Sequence, residues 1–461
     1  MRLILSVLVL VALSMTVCGQ ETAEEWFIKG VALYSQGKYD EAIQAYDEAV
    51  RLDPELAEAW SGKGAALADQ GKYDEAIQAY DEAIRIDPEL ALAWNNKGAA
   101  LADQGKYDEA IEAYDEAIRI DPEYATPWNN KGNVFHELGE YDEAIQACYE
   151  AIRLNPEYAS PWNNKGNVLH DQGKYDGAIE AYDEAIRLDP GYADAWYNKG
   201  VVLADQGKYD EAIQAYDEAV RLDSEHLMAW YNKGVALHDQ GKDSEAIQAF
   251  DEAIRLDPEY TKAWSNKGGV LCGQGKYDEA IAVYEEALRL DPGEAMIWYS
   301  KGVALHEQGN NTEAILAYDE AIRLDPEFAW PWNNKGNILH EQGKYDEAIE
   351  AYDEAIRLDP EHADAWYNKG NALVDQGKDS EAIQAFDEAI RLDPEYVDAW
   401  NNKGIIFGIQ GKLTEALDCF DMATRLDPDL AAAWKNKGQA LELLGRRTEA
   451  NEAYSKAREL A

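Results

Sequence analysis

Positive charge, histidine and cysteine are all scarce in this chain. Its 461 residues include 42 Lys and Arg against 90 Asp and Glu, 7 His and 4 Cys, and the net charge is −48. Phosphate neutralisation needs clustered Lys and Arg, so the sequence excludes nucleic-acid binding as a function class. The apolar content of 46% is high enough for a large core, which argues against a disordered chain.

Catalytic signatures are also missing. The sequence has no phosphate-binding loop, no nucleophile motif and no dinucleotide fingerprint. We therefore predict that the protein is not an enzyme and needs no cofactor.

Tryptophan, in contrast, recurs with strict spacing. A lysine–glycine pair follows three residues after each of thirteen tryptophans, and the off-register tryptophan is Trp330. This register predicts one array of 13 repeats of 34 residues, from about Ala23 to Ala461. The registered tryptophans are Trp26, Trp60, Trp94, Trp128, Trp162, Trp196, Trp230, Trp264, Trp298, Trp332, Trp366, Trp400 and Trp434.

Each repeat predicts two helices, as the third repeat (R3, Ala91 to Tyr124) illustrates. Trp94, Gly98 and Leu101 share one face of a first helix, which Gly105 ends as a left-handed C-cap. A second helix carries apolar residues from Ala110 to Ile118 and stops before proline. Position 1 of a repeat is the residue equivalent to Ala91.

The start of the second helix follows a substitution pattern. The position of Asp108 holds only Asp, Ser or Thr in the 13 repeats. All three are N-cap residues, so we predict that this position caps the second helix.

These features resemble the tetratricopeptide repeat, a 34-residue helix–turn–helix unit. In R3 the matching residues are Trp94, Gly98, Ala110, Tyr114, Ala117 and Pro122. Lys97 stands where the family usually has leucine, and we expect its stem to lie on apolar surface with the ammonium near a repeat carboxylate.

The resemblance implies an all-α, right-handed α-solenoid of antiparallel helix pairs. It also implies a protein-interaction scaffold with a concave groove lined by positions 2, 5, 9, 12 and 13 of the first helices. Some family members clamp a carboxylate with Lys and Arg at such positions. Here Lys262 is isolated, so we expect no such clamp.

The predicted groove carries amide, imidazole and phenol groups, which suit the backbone of an extended peptide. The alternative explanation for these groove residues is that they differ between repeats only through sequence drift after recent duplication. The candidate partner-binding residues are Asn129, Asn133, His136, Asn163, Asn167, His170, Tyr197, Tyr231, His238, Tyr299, His306, Asn333, Asn337, His340, Tyr367 and Asn371.

The groove histidines do not predict a metal or acid–base site. Each precedes Asp or Glu, but adjacent residues on a helix do not face each other. His136 and His170 could meet across stacked helices. Two imidazoles are too few for a zinc site, so no metal is predicted.

The competing function class is structural: self-assembly, or divalent-cation binding by the acidic surface. Ile405, Ile409 and Leu443 stand where other repeats are polar or small. They form either an apolar contact patch or a packing adjustment near the end of the array.

The last repeat differs from the others at two positions. Asn451 and Arg458 replace residues that are Ile, Val or Leu through most of the array. We expect the last repeat to be a C-terminal cap with a polar outer face, with no catalytic domain beyond it.

The N-terminus predicts export. Residues 1–19 hold one basic residue, an apolar stretch from Leu3 to Val17, and small residues near Gly19. This is typical of a signal peptide cleaved after Gly19; the alternative is an N-terminal membrane anchor, for example through lipidation of Cys18.

Cys148, Cys272 and Cys419 lie in separate repeats, too far apart for disulfides, and we expect free thiols.

Overall fold

Alternating first and second helices make up the described chain. The computed structural model describes residues 21–460, so the predicted signal or anchor segment at 1–19 lies outside the described residues. Residues 21–460 form 26 α-helices and no strands. Within that range, none of the helices is both long and apolar enough to span a membrane.

The first helices are α1 (Ala23–Tyr34), α3 (Ala57–Ala68), α5 (Ala91–Asp103), α7 (Ala125–Glu137), α9 (Ala159–Asp171), α11 (Ala193–Asp205), α13 (Leu227–Asp239), α15 (Thr261–Gly273), α17 (Ala295–Glu307), α19 (Ala329–Glu341), α21 (Ala363–Asp375), α23 (Val397–Ile409) and α25 (Ala431–Leu443). The second helices are α2 (Tyr39–Leu52), α4 (Tyr73–Ile86), α6 (Tyr107–Ile120), α8 (Tyr141–Leu154), α10 (Tyr175–Leu188), α12 (Tyr209–Leu222), α14 (Asp243–Leu256), α16 (Tyr277–Leu290), α18 (Asn311–Leu324), α20 (Tyr345–Leu358), α22 (Asp379–Leu392), α24 (Leu413–Leu426) and α26 (Arg447–Leu460).

Two compact bodies divide the chain, an N-terminal body up to Ala229 and a C-terminal body from Trp230. Within each body, a helix packs against the helices before and after it in sequence, and first helices also contact first helices of neighbouring repeats. First helices therefore form one side of each body and second helices the other. The predicted all-α solenoid of helix pairs is confirmed.

Glycine ends the first helices as predicted. Gly105 has φ 74°, and its N–H donates to the Ala102 carbonyl at 2.8 Å. The N–H of Lys106 reaches the Leu101 carbonyl at 2.9 Å, which completes a Schellman motif. The equivalent glycine of every repeat lies in the same left-handed region.

The prediction that Asp108 and its equivalents cap the second helix is wrong. Helix α6 begins at Tyr107, and its N-cap residue, Lys106, makes no side-chain cap bond. Asp108 therefore lies inside the first turn, where a carboxylate still interacts favourably with the helix dipole. In several repeats the equivalent aspartate accepts a hydrogen bond from a glutamine of the next repeat. These pairs are Asp40–Gln70, Asp74–Gln104, Asp176–Gln206, Asp278–Gln308 and Asp346–Gln376.

The core of every repeat except the fourth (R4) is built on contact between a glycine and an aromatic ring. Tyr114 is 2% exposed, and a Cβ added to Gly98 would lie 2.6 Å from its Cε1 atom. R4 departs from this pattern because Cys148 replaces the tyrosine. A Cβ at Gly132 would lie 3.2 Å from the Cys148 sulfur, so this site is less crowded.

The expected lysine environment is confirmed. The Lys97 ammonium lies 5.5 Å from the centre of the Trp94 ring and 2.6 Å from a carboxylate oxygen of Asp81 in the preceding repeat. The cation–π contact and the ion pair together link neighbouring repeats. The ion pair recurs as Lys63–Asp47, Lys131–Asp115, Lys199–Asp183, Lys267–Asp251, Lys301–Glu285, Lys335–Asp319, Lys369–Asp353, Lys403–Asp387 and Lys437–Asp421.

Asn451 and Arg458 of α26 are exposed, whereas Ile213 and Val220, at the same positions of the sixth repeat (R6), are buried. The outer face of α26 is polar at these two positions.

We predict that Gly98→Ala destabilises the protein and that Gly132→Ala does not. The added methyl group at Gly98 forces the buried Tyr114 ring to move, which costs about 1–3 kcal/mol of unfolding free energy. At Gly132 the smaller Cys148 and the gain in helix propensity keep the change below about 1 kcal/mol. Urea unfolding followed by circular dichroism measures both variants. Equal losses would show that the ring contact does not determine stability.

Candidate functional site

The candidate binding surface is the first-helix face, which we define as positions 2, 9, 12 and 13 of the first helices in each body. Position 5 does not belong to it. Asn129, Asn163 and Asn333 are only 4%, 4% and 5% exposed, because each lies between neighbouring first helices. The prediction that these three side chains face the groove is wrong, because all three are buried.

The buried asparagines connect successive repeats. Each accepts a hydrogen bond from the side-chain amide of an asparagine at position 6 of the next repeat. The donors are Asn164 to Asn129 at 2.8 Å, Asn198 to Asn163 at 3.0 Å, and Asn368 to Asn333 at 3.1 Å. The position-6 donor was not predicted, although its signal in the sequence is the asparagine directly before the lysine of the recurrent "NNKG" and "YNKG" segments.

The tyrosines at position 5 have the same role. The phenol oxygens of Tyr231, Tyr299 and Tyr367 accept from Asn266, Asn334 and Asn402 at 2.9, 3.2 and 3.2 Å. Burial raises the pKa of all three phenols, so they remain neutral. The ring of Tyr197 packs against that of His226, with centroids 4.7 Å apart. All four tyrosines are half-buried.

The asparagines at position 9 differ from one another in their hydrogen-bond partners. Asn167 and Asn337 each accept a hydrogen bond at 2.8 Å from the core tyrosine of their own repeat, Tyr182 or Tyr352. The core residue of the eleventh repeat (R11) is Phe386, which has no hydroxyl, and Asn371 accepts from Asn402 at 3.0 Å instead.

Asn133 is the exposed member of this group. Its repeat holds Cys148 where the others have the core aromatic residue, so no phenol hydroxyl is available to it. Its amide is therefore the position-9 amide best placed to contact a partner.

The histidines of position 12 pair with carboxylates of the next repeat. The Nε2 atoms of His136, His170 and His340 lie 2.7 Å from carboxylate oxygens of Asp171, Asp205 and Asp375. His306 lies 3.4 Å from Glu341. Each carboxylate is 35 residues further along the chain.

Two details differ from the sequence-based expectation. Asp171 lies between His136 and His170, and its second oxygen is 3.8 Å from His170 Nδ1, so a carboxylate joins the two imidazoles. His238 has Gly273 at the position 35 residues further on, and it contacts Asp243 at 2.9 Å.

The site offers little chemistry beyond hydrogen bonding and charge. Among residues 21–460, no three or more His, Cys, Asp or Glu residues are grouped so that they could hold a metal ion. Cys148, Cys272 and Cys419 are free thiols, as expected. Burial raises the pKa of Cys148 to about 12 and that of Cys419 to about 11, which keeps both thiols protonated and unreactive.

A cleft of about 370 Å³ opens on the first-helix face between R3 and R4. Ala99 stands at position 9, where the fifth and tenth repeats (R5 and R10) have the asparagine that accepts from the core tyrosine hydroxyl, and its small side chain lines the cleft with the buried Tyr114. Asn133 lines the cleft from the next repeat, and the carboxylates of Asp103 and Glu137 lie at its edge.

The apolar residues near the end of the array are exposed. Ile409 is 75% exposed, Leu443 69% and Ile405 38%. Packing adjustment does not explain Ile409 and Leu443, which are mostly in solvent, so their exposure favours a contact patch. The net charge of −48 opposes association of two copies.

We predict that Asn163→Ala destabilises the protein while Asn133→Ala does not. Removal of the buried acceptor leaves the Asn198 amide unpaired, at a cost of about 1–3 kcal/mol. Asn133 is exposed, and its removal changes stability by about 0.5 kcal/mol or less. Thermal unfolding of the two variants tests this; a negligible effect of Asn163→Ala would contradict the structural role.

Comparison with known proteins agrees with the geometry. The family description "Tetratricopeptide repeat" matches residues 27–91, 163–226, 204–261, 268–327, 333–397, 367–431 and 401–461. A related description, "TPR repeat", matches residues 98–139 and 132–173, and a further tetratricopeptide repeat description matches residues 79–112. No curated protein matches the chain.

Several solved structures are similar to the chain. The APC/C hetero-tetramer Cut9–Hcn1 has 14% identity and a TM-score of 0.46, with 92% of this chain and 97% of that chain covered. Yeast Tom70 has 17% identity and a TM-score of 0.44, with 95% and 96% covered. YrrB, described as a TPR protein with an unusual peptide-binding site, has 25% identity and a TM-score of 0.32, with 41% and 98% covered.

Tandem repeats of this family support a role as a protein-interaction scaffold. Since the family description matches most of its residues, the chain belongs to the tetratricopeptide repeat family.

Proposed function

We propose that this protein is a non-catalytic scaffold that binds an extended peptide segment of a protein partner on its first-helix face. The observation that carries the proposal is the cleft between R3 and R4, where the Asn133 amide is exposed beside the small side chain of Ala99.

The groups in this cleft suit a peptide backbone. The Asn133 amide can both donate and accept hydrogen bonds, and Tyr114, which is 2% exposed, forms part of the cleft wall. Burial raises the pKa of Tyr114, so the hydroxyl keeps its proton and remains a donor. A peptide in extended conformation presents alternating N–H and carbonyl groups, which such neutral groups can pair without requiring charge.

The carboxylates at the cleft edge favour peptides of a particular charge. Asp103 and Glu137 are exposed, and the chain as a whole is strongly acidic. Complementary potentials speed association and suppress unsuitable partners, so neutral or basic peptides are favoured over acidic ones.

We predict that Ala99→Asn and Asn133→Ala each weaken peptide binding. In the first variant, the introduced asparagine covers the Tyr114 hydroxyl as Asn167 covers Tyr182, and the cleft closes without loss of the fold. The second variant removes the exposed amide. Peptides selected from a displayed random library on the natural protein should bind each variant about threefold to tenfold more weakly, as expected for one lost hydrogen bond.

Glu112→Gln is the matched control. Glu112 is exposed on the second helix α6, and Gln78 occupies the same position in the preceding repeat, so this change affects the opposite side of the body. Selected peptides should bind it as they bind the natural protein. Selection of no peptide, or of peptides that bind all four proteins equally, would refute the proposal.

Export forms a separate part of the proposal and rests on the sequence of residues 1–19 alone. If the segment is a cleaved signal peptide, mass spectrometry of the protein from the extracellular fraction of its source should find a mature N-terminus at Gln20. Retention of Met1, or a lipid on Cys18 in the membrane fraction, would contradict cleavage after Gly19.

A further inference from the structure

Trp330 is the tryptophan that the repeat pattern does not explain. It stands at position 2 of α19 in the tenth repeat (R10), on the first-helix face of the C-terminal body, and its side chain is 51% exposed. Registered tryptophans such as Trp332 are partly buried between helices. An exposed indole has no role in the packing that defines the repeat, and exposed tryptophan is typical of binding sites.

The ring of Trp330 rests on His362, the last residue of the same repeat. The two ring centroids are 5.1 Å apart with an interplanar angle of 37°. His362 is only 8% exposed, and its Nε2 atom is buried without a hydrogen-bond partner among residues 21–460. A buried polar atom without a partner is unfavourable and uncommon, and it frequently marks a place where a ligand or water completes the bonding.

The two repeats after R10 each carry an exposed carboxylate at position 2. Asp364 lies two residues after His362 and accepts a hydrogen bond at 2.7 Å from the Tyr396 hydroxyl, while Asp398 occupies the equivalent position of the twelfth repeat (R12). The lysines of these two repeats, Lys369 and Lys403, are engaged with Asp353 and Asp387 instead. Negative charge beside Trp330 is therefore not neutralised by those lysines.

We propose that Trp330, His362 and Asp364 form a site for an arginine side chain of a basic partner peptide. A guanidinium stacks on the face of an indole and donates hydrogen bonds to a carboxylate, and no other side chain combines both properties as well. Asp364 then provides the ionic contact and Trp330 the stacking surface. His362 packs against the indole and holds it in place, and its unpartnered Nε2 is available to a ligand group. This inference rests on the proposed function and names the charge of the partner.

The chain contains its own control for this site. The fifth repeat (R5) matches R10 at all but six of its 34 positions, and two of the six differences are Ser160 in place of Trp330 and Tyr192 in place of His362. Asp194 of the following repeat corresponds to Asp364. R5 therefore has the same helices and the carboxylate but lacks the indole and the imidazole.

The test compares two double variants with the natural protein. Trp330→Ser with His362→Tyr gives R10 the residues of R5, so we expect the fold to be kept, and circular dichroism checks this. Because no charged side chain is removed, general attraction to the acidic chain stays the same. A fluorescent hexa-arginine peptide, followed by anisotropy, should bind this variant with a Kd about threefold to thirtyfold higher than the natural protein, as expected for a lost cation–π contact.

The reverse exchange, Ser160→Trp with Tyr192→His, should create a second site and raise the number of peptides bound at saturation. Asp364→Asn should also raise the Kd of the natural site. An unchanged Kd in the first double variant, or no binding of hexa-arginine to the natural protein, would overturn the arginine site. The selected peptides of the R3–R4 cleft are measured separately with Ala99→Asn, so loss of the arginine site would leave the proposed function standing.

Discussion

No repeat of this protein can bury both of its faces, and the structure depends on contact between one repeat and the next. Within a repeat, the core ring packs so closely on the position-8 glycine that a Cβ there would clash with it, as between Tyr114 and Gly98. This close approach brings the two helices of a pair together. The apolar surface that remains on their outer side is then buried by the following repeat, so stability is a sum of nearest-neighbour interfaces.

Polar side chains make these interfaces specific. Position-6 asparagines donate to position 5 of the preceding repeat, glutamines bond aspartates of the preceding repeat, and lysines bridge a tryptophan ring and a carboxylate. Such contacts engage most of the polar side chains that the sequence suggested as binding groups. Examples are buried Asn163 and the His170–Asp205 pair. Polar side chains that recur at the same position of many repeats therefore stabilise the contacts between repeats.

The two proposed binding sites therefore lie where a repeat departs from the others. R4 departs through Cys148, which leaves Asn133 without a tyrosine hydroxyl of its own repeat and exposed in the cleft between R3 and R4. R10 departs through Trp330 and His362, which place an indole and an unpartnered nitrogen beside exposed carboxylates. In both places, one or two substitutions release groups that the regular repeat would cover or bond.

The sequence alone determined the repeat length, the two helices and the left-handed glycine turns, because each depends on spacing within one repeat or on apolar pattern. It also predicted the lysine environment, because a carboxylate recurs near the lysine in almost every repeat. It did not determine which polar residues are exposed. Asn163 was expected on the surface but is buried, and Asp108 was expected to cap a helix but lies in its first turn. Only the tertiary structure decided these points, because the partner of a side chain belongs to the next repeat, 30 or 35 residues away, and the rotation between neighbouring helices sets which positions meet.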